Sequence, residues 1–317
     1  MLNATRLFAG PIITPGTDPS IGNNIQGPSL IRVPDWLPDP LGKYYLYFAD
    51  HKGAYIRLAY ANDLGGPWRV YVPGSLQLAD SGFSLEAPVY TQEQEDVARA
   101  RAPRPLPHDP LVDMTIPHIA SPDVHVDDAN RRIVMYFHGL ESFGRQVTRV
   151  ALSDDGIQFN AQPETLAYPY LRVFYHQDRY YGMAMPGMLY RSSDGLTNFE
   201  AGPQLFEPNM RHAALLKQDN QLFVYWTRVG DSPERILRST IDLGDDWQTW
   251  RNESEQEVLR PEHDWEGAAR ICEPSMRSVA YGEVNQLRDP AIFSENGTVY
   301  LLYVIAGEAG IAIARLD

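Results

Sequence analysis

Short runs of aromatic, β-branched and aliphatic residues recur along the 317-residue chain, each only five or six residues long. They include residues 44–48, 56–60, 133–138, 222–226 and 299–304, and polar turn sequences separate them. Period-two alternation over such lengths predicts β-strands, and Asp155-Gly156 and Asp194-Gly195 read as hairpin turns rather than as chemistry. No stretch keeps apolar residues at helical spacing, so the pattern predicts an all-β protein.

The strands are grouped by a repeat. Its fullest copy is Arg288-Asp289-Pro290-Ala291-Ile292, followed by a turn and the Tyr-rich run 299–304. The same form recurs as Gly27-Pro28-Ser29-Leu30, Ser121-Pro122-Asp123-Val124, Tyr168-Pro169-Tyr170-Leu171 and His212-Ala213-Ala214-Leu215. Where units follow directly they are about 45 residues apart, the length of a four-stranded propeller blade. Five copies predict a single five-bladed β-propeller over residues 1–317, with antiparallel four-stranded blades. The last unit has three strands only, and residues 6–11 resemble the outer strands of other units. They are therefore expected to pair beside 311–316 and close the ring, leaving no open sheet edge.

Two excursions interrupt the repeat, at about 74–117 and 250–286. The first carries Glu93, Glu95, Asp96, Arg99, Arg101 and Arg104 among four prolines and reads as a long loop with one helical turn. The second carries His263, Trp265, Glu266, Cys272, Glu273 and Arg277. Long excursions inside a compact domain are commonly functional.

Composition narrows the partners. A net charge of −14 disfavours nucleic acid and anionic membranes, and no apolar run is long enough to span a bilayer. Cys272 is the sole cysteine, and the first residues lack a basic-then-apolar leader, so a reducing, cytoplasmic setting is expected. On that reading the sequons at Asn3, Asn252 and Asn296 are chance matches. The oligomeric state is left open.

No zinc-type His-Glu-x-x-His, paired-cysteine motif, Gly-x-Ser-x-Gly elbow or phosphate loop is present. No cofactor is expected, although a structural cation in the channel is left open; His118, His138 and His212 are too scattered in sequence to argue for one. Met183, Met185 and Met188 read as packing. In a propeller, the inner strands begin around one mouth of the central channel. That places Gln26/Gly27, Ala120/Ser121, Ala167/Tyr168, Arg211/His212 and Arg288/Asp289 in a ring. Connecting loops on the same face add His51, Lys52, His138, Glu141, Arg228, Asp231 and Glu308. A net-acidic chain that gathers Arg211, Arg228, Arg288 and Lys52 at one mouth suggests an anionic ligand, since the guanidinium fork suits carboxylate or sulfate.

The chain resembles the five-bladed β-propeller glycosidases of families 43, 32, 68 and 117. The resemblance rests on Tyr44-Tyr45-Leu46-Tyr47 with residues 56–68, on Ser121-Pro122-Asp123-Val124-His125, and on Arg288-Asp289-Pro290. It covers nearly everything outside the excursions and implies an oligosaccharide substrate. It departs at the catalytic positions: those matching the family 43 carboxylates are Gly27, Tyr168 and Arg211 or His212, so the two-carboxylate mechanism does not carry over.

Three functions remain open. The first is a glycosidase on an anionic or anhydro sugar, with Asp289 as base or nucleophile and His212 or Glu141 as acid. The second is a uronate lyase using Tyr168 or His212 as base and Arg211 or Arg288 to neutralise the carboxylate. The third is a non-catalytic carbohydrate-binding propeller. Gln26, His51, Lys52, His138, Tyr168, Arg211, Arg228, Arg288 and Glu308 are the expected substrate-binding residues. Arg288 is expected to keep Asp289 ionised, which disfavours it as a general acid.

Overall fold

The computed structural model describes residues 4–102, 106 and 108–317. Five four-stranded antiparallel sheets follow one another along the chain. The first blade is β2 (Gln26–Arg32), β3 (Tyr44–Ala49), β4 (Tyr55–Ala61) and β5 (Arg69–Gln77). The second is β6 (Ile119–Asp127), β7 (Arg132–Ser142), β8 (Arg145–Ser153) and β9 (Asn160–Ala161). The third is β10 (Arg172–His176), β11 (Arg179–Ala184), β12 (Met188–Ser192) and β13 (Glu200–Gln204). The fourth is β14 (Met210–Gln218), β15 (Gln221–Arg228), β16 (Ile236–Asp242) and β17 (Gln256–Leu259). The fifth joins β18 (Arg288–Glu295), β19 (Thr298–Ile305) and β20 (Gly310–Leu316) to β1 (Ala4–Arg6) from the other end of the chain.

The core is five wedges, one between each pair of neighbouring blades. Along β3, Tyr45, Tyr47 and Ala49 enter the wedge shared with the second blade, and Tyr44, Leu46 and Phe48 the wedge shared with the fifth. In β7, Ile133, Met135 and Phe137 face one way and Val134 and Tyr136 the other. Each blade is thus buried on both faces. The middle strands therefore carry unbroken apolar runs such as 44–49 and 133–137, because successive side chains leave opposite faces of a strand.

Closure occurs as expected, with the strand starting two residues earlier than expected. Ala4, Thr5 and Arg6 pair with Leu316, Arg315 and Ala314, and Leu7 and Ile12 continue by single bonds to Ile313 and Ile311. Arg6 also reaches sideways. Its Nε and Nη2 donate to the two oxygens of Glu266 at 2.7 and 2.8 Å, and Nη1 donates to Glu262 at 2.7 Å. Glu266 is fully buried and also accepts from Tyr303 Oη at 2.9 Å and from the Glu262 and His263 amides. Burial opposes its ionisation, yet Arg6 and these donors keep the carboxyl below its ordinary range.

Two expectations need correction. The first excursion contains α1 (Gln92–Arg101), far more than one turn, as well as α2 (Val112–Thr115). A capping box between Thr91 and Gln94 starts α1, and the Glu95–Arg99 pair at 2.8 Å supports it. Its only apolar side chains beyond alanine methyls belong to Val97, so there was no apolar stripe to betray it. The second excursion begins later than residue 250, because β17 is the fourth blade's outer strand. Arg104 and Asn3 lie outside the described residues. No helix among the described residues is long and apolar enough to cross a membrane.

Arg6→Ala would strand the buried Glu266 carboxylate and loosen the strand that closes the ring. A loss of about 3 kcal/mol is expected, the scale for breaking a buried ion pair on one side. Urea unfolding at pH 7 reads it; an unchanged midpoint and slope would show that Arg6 does not hold the closure.

Candidate active site at the channel mouth

Each blade begins its inner strand with one residue of positive φ: Gly27 (61°), Ser121 (50°), Tyr170 (62°), His212 (39°) and Asp289 (43°). In four blades the ladder slips register there, between Gln26 and Ser29, Ala120 and Asp123, Arg211 and Ala213, and Arg288 and Ala291. A bulge of this kind re-aims the side chain at its apex. In the third blade pairing begins at Arg172, immediately beyond Tyr170 and Leu171. The ring residue of that blade is therefore Tyr170 and not Tyr168, which is half exposed on the cavity rim. Pro169 set the sequence register by analogy with Pro28, Pro122 and Pro290, but in this blade the left-handed residue falls two residues after the expected position. Gly27 has no room for a side chain, since a Cβ there would lie 2.7 Å from Ser121 Cα.

Asp289 is buried, and neither carboxylate oxygen accepts a hydrogen bond from the described residues. His212 Nδ1 stands 3.1 Å from Asp289 Oδ1. Burial, and next the charge of Glu308, push the Asp289 carboxyl up to about 6; Arg211, His51 and Arg288 pull the other way less strongly. This reverses the expectation that Arg288 keeps it firmly ionised. Asp289 can exchange a proton near neutrality. His212 is driven down by burial and by the guanidiniums of Arg211 and Arg288, so its imidazole is neutral. Arg211 Nε donates to His212 Nε2 at 3.4 Å, which leaves the proton on Nδ1, facing Asp289.

Behind these groups lies a column of rings. Tyr170 is 5.0 Å from His212 and 4.3 Å from His138 between centroids, and His118 follows at 5.9 Å. Burial keeps His138 neutral with both nitrogens unpartnered among the described residues, and it pushes His118 down to about 3. Gln26 is buried too, accepting from Ser121 Oγ at 2.8 Å. No group of three His, Cys, Asp or Glu side chains is arranged to hold a metal ion among the described residues.

Arg288 does not face a ligand. Its Nη1 donates to Glu308 at 2.8 Å and to Ser278 O at 3.2 Å, and its Nε donates to Gln286 at 2.9 Å. Glu308 also lies 3.0 Å from His51 Nδ1 and accepts from Asn24 at 2.5 Å. Burial opposes its charge, but His51, Arg288 and Asn24 outweigh that and hold it down to about 2. Glu234, fully buried, lies 3.7 Å from both Arg211 and Arg288. The expected anion-reading role of Arg288 is thus taken over by internal carboxylates.

A cavity of about 440 Å³ opens above the ring, and His51, Lys52, Tyr168, Tyr170, Arg211 and His212 line it. Both excursions contribute to its roof. Lys52 faces Asp113 of α2 at 3.4 Å, and Ser278 Oγ donates to Asp113 at 2.6 Å. Arg277 also lines the cavity. It donates to Pro208 O and contacts Met185 Sδ, and no described carboxylate lies within 4.0 Å of it. Two expected site residues lie elsewhere. Glu141 pairs with Arg149 at 3.1 Å, and Arg228 pairs with Glu255 and lies over Trp226; neither lines the cavity. Sequence reasoning missed Tyr170, Asp113, Asn24, Glu234 and Gln286, and gave Arg277 no role in the site.

Asp289→Asn provides a stability test. The folded state holds an extra proton between the ordinary aspartate value near 4 and the raised value near 6, so stability falls as pH rises through that window. The variant removes the buried charge. It should melt above the parent at pH 8, by an amount on the order of 1–3 kcal/mol, and converge with it near pH 4. Equal melting temperatures at both pH values would overturn the account of Asp289.

No family model matches the chain. Its fold is that of the family 43 glycosidases. A GH43 β-xylosidase/α-arabinofuranosidase from a compost microbial metagenome, solved in complex with xylotriose, superposes with TM-score 0.57 at 14% identity, covering 99% of this chain and 94% of that one. A GH43 enzyme from Xanthomonas citri gives TM-score 0.57 at 12% identity, over 99% and 90% of the two chains. At these identities the likeness speaks for the fold, with the sequence far diverged. "Uncharacterized protein R118" of Acanthamoeba polyphaga mimivirus is 38% identical over 92% of this chain and 83% of its own length. The chain belongs to the same family as that mimivirus protein, built on the five-bladed β-propeller of the family 43 glycosidases.

Proposed function

We propose that the protein is a glycoside hydrolase-like enzyme acting on a small, anionic oligosaccharide held in the channel-mouth cavity. The observation that carries this reading is the buried Asp289–His212 pair at 3.1 Å, with His212 on the cavity wall and Asp289 poised near neutrality. Hydrolysis needs a proton for the leaving oxygen and a base for water. Asp289 suits the donor, and the one lone pair of neutral His212, on Nε2, becomes the acceptor when Arg211 turns away from it; these roles are the reverse of those expected from sequence. Arg277, Arg211 and Lys52 put positive charge on the cavity wall, and half-exposed Tyr168 offers an aromatic face to a sugar. The crystal structures of family 43 enzymes with xylotriose support an oligosaccharide as the class of ligand.

One observation favours a second reading, uronate β-elimination. Among the described residues Asp113 is the only carboxylate lining the cavity, and Lys52 faces it. Elimination requires a base such as Tyr170 or His212 and a cation at the uronate, and no second carboxylate. Products separate the two: hydrolysis creates a reducing end, and elimination an ultraviolet-absorbing unsaturated uronate. Absence of both, with retained binding, identifies a binding propeller.

Asp289→Asn is expected to reduce turnover of acidic oligosaccharides at least ~100-fold while the fold persists, the lower range for a positioned acid–base group. An active variant would remove Asp289 from the mechanism. Arg277→Ala should weaken binding of acidic oligosaccharides by about 1–3 kcal/mol and of neutral ones less, because a charged hydrogen bond is lost. Calorimetry on both ligand classes decides, and equal losses would refute an anionic substrate.

A further inference from the structure

A second cavity, of about 570 Å³, lies beside the first, between α1, α2 and the β7–β8 turn. Its wall is mainly apolar: Val97 and Ala98 of α1, Met114 of α2, and Phe143. Tyr90 packs against Phe143 with ring centroids 4.7 Å apart. Val97 is 42% exposed on an otherwise polar helix and lines this space, with part of its apolar surface left uncovered by the described residues.

The two cavities share Asp113, Met114, Gly144 and Arg277 as common wall, so they adjoin at these residues. Gly144 has φ of 65°, and a Cβ there would meet Met114 Sδ at 2.7 Å; the turn and α2 are therefore in close contact at the junction. Arg277 stands at the same junction without a carboxylate partner among the described residues. Together the volumes are at the scale of a pocket for a compound larger than one sugar.

We propose that the cavity beside α1 is a subsite for an apolar group attached to the sugar, so that the substrate class is an acidic glycoside with an aromatic or similarly apolar aglycone. This assignment rests on the reading of the channel mouth as a sugar site. The anionic group lies at Arg277, the sugar ring stacks on Tyr168, and the aglycone displaces water from Val97, Met114 and Phe143. Burial of its apolar surface supplies the preference.

The test uses the whole protein and the Val97→Glu variant, whose change sits on an exposed helix position and places a carboxylate in the cavity. Unchanged melting controls for folding. Two measurements are paired. The first is fluorescence of 8-anilinonaphthalene-1-sulfonate, which combines an apolar ring system with an anion. The second is calorimetry with 4-nitrophenyl and methyl glycosides of glucuronic and galacturonic acids. Expected are one saturable site for the dye, weakened at least tenfold by Val97→Glu, and at least tenfold tighter binding of a nitrophenyl glycoside than of its methyl counterpart. That preference should vanish in the variant. Equal binding of nitrophenyl and methyl glycosides overturns the aglycone subsite and leaves the sugar site standing. Dye binding that is sensitive to Val97→Glu, with no glycoside bound, means that the sugar site fails and the aglycone assignment with it. Dye binding that ignores the substitution overturns the apolar site itself.

Discussion

The left-handed residue at the head of each inner strand is the constraint on which the channel depends. Four of the five are not glycine, and each such conformation costs about 1–3 kcal/mol unless its surroundings hold it. Bonds between blades supply the hold. Arg172 of the third blade donates back to Ser121 O and Pro122 O at 3.1 and 2.9 Å, and forward to Ala213 O at 3.0 Å. The Val124 amide donates to Ser29 Oγ and the Val173 amide to Asp123 Oδ2, each at 2.9 Å. The apolar wedges set the spacing of the blades, and these polar bonds fix their angular register at the mouth.

The same constraint explains the electrostatics. Bringing five strand heads together buries Arg211, Arg288, Glu234, Glu308, His212 and Asp289 within one small volume. Two guanidiniums and two carboxylates largely compensate one another there, whereas Asp289 has only the edge of His212 beside it. A buried carboxylate with no hydrogen bond is costly, and such costs concentrate where a group must change its protonation state. The stability of the ion cluster and the readiness of Asp289 to take a proton therefore share one cause, desolvation at the strand heads.

Much of the fold was legible because the repeat is written in turns and strand periodicity, which are local. Tyr44-Tyr45-Leu46-Tyr47 signals a strand buried on both faces, and the missing fourth strand of the last unit pointed to closure by the N-terminus. The site was only half legible. Asp289, His212 and Arg211 follow from their places at strand heads, and those places are set by the repeat. Tyr170 was obscured by Pro169, which here precedes the left-handed residue where in the first, second and fifth blades a proline follows it. Arg277 and Asp113 come from excursions without a repeat, so nothing local indicates that they meet over the mouth. Arg288 shows a different limit: its position was right, but its partners Glu308 and Gln286 are contacts that spacing alone does not specify.

Asp123 sharpens the contrast between a motif and the role it has here. It sits in Ser-Pro-Asp-Val, the stretch most like family 43, and its carboxylate accepts from the Val173 amide and lies 2.8 Å from His125 Nε2. It is thus a tie between the second and third blades. Gly27, which matches the family base, cannot be given a carboxylate without displacing the Ser121 backbone. With Gly27 so confined, that strand head carries no acid or base, and in the function proposed above the proton chemistry moves to His212 and Asp289 on the fourth and fifth blades. A propeller permits such relocation because its five strand heads are nearly equivalent in geometry. The identity of the residue at the left-handed position can change from blade to blade while the frame that aims it stays the same.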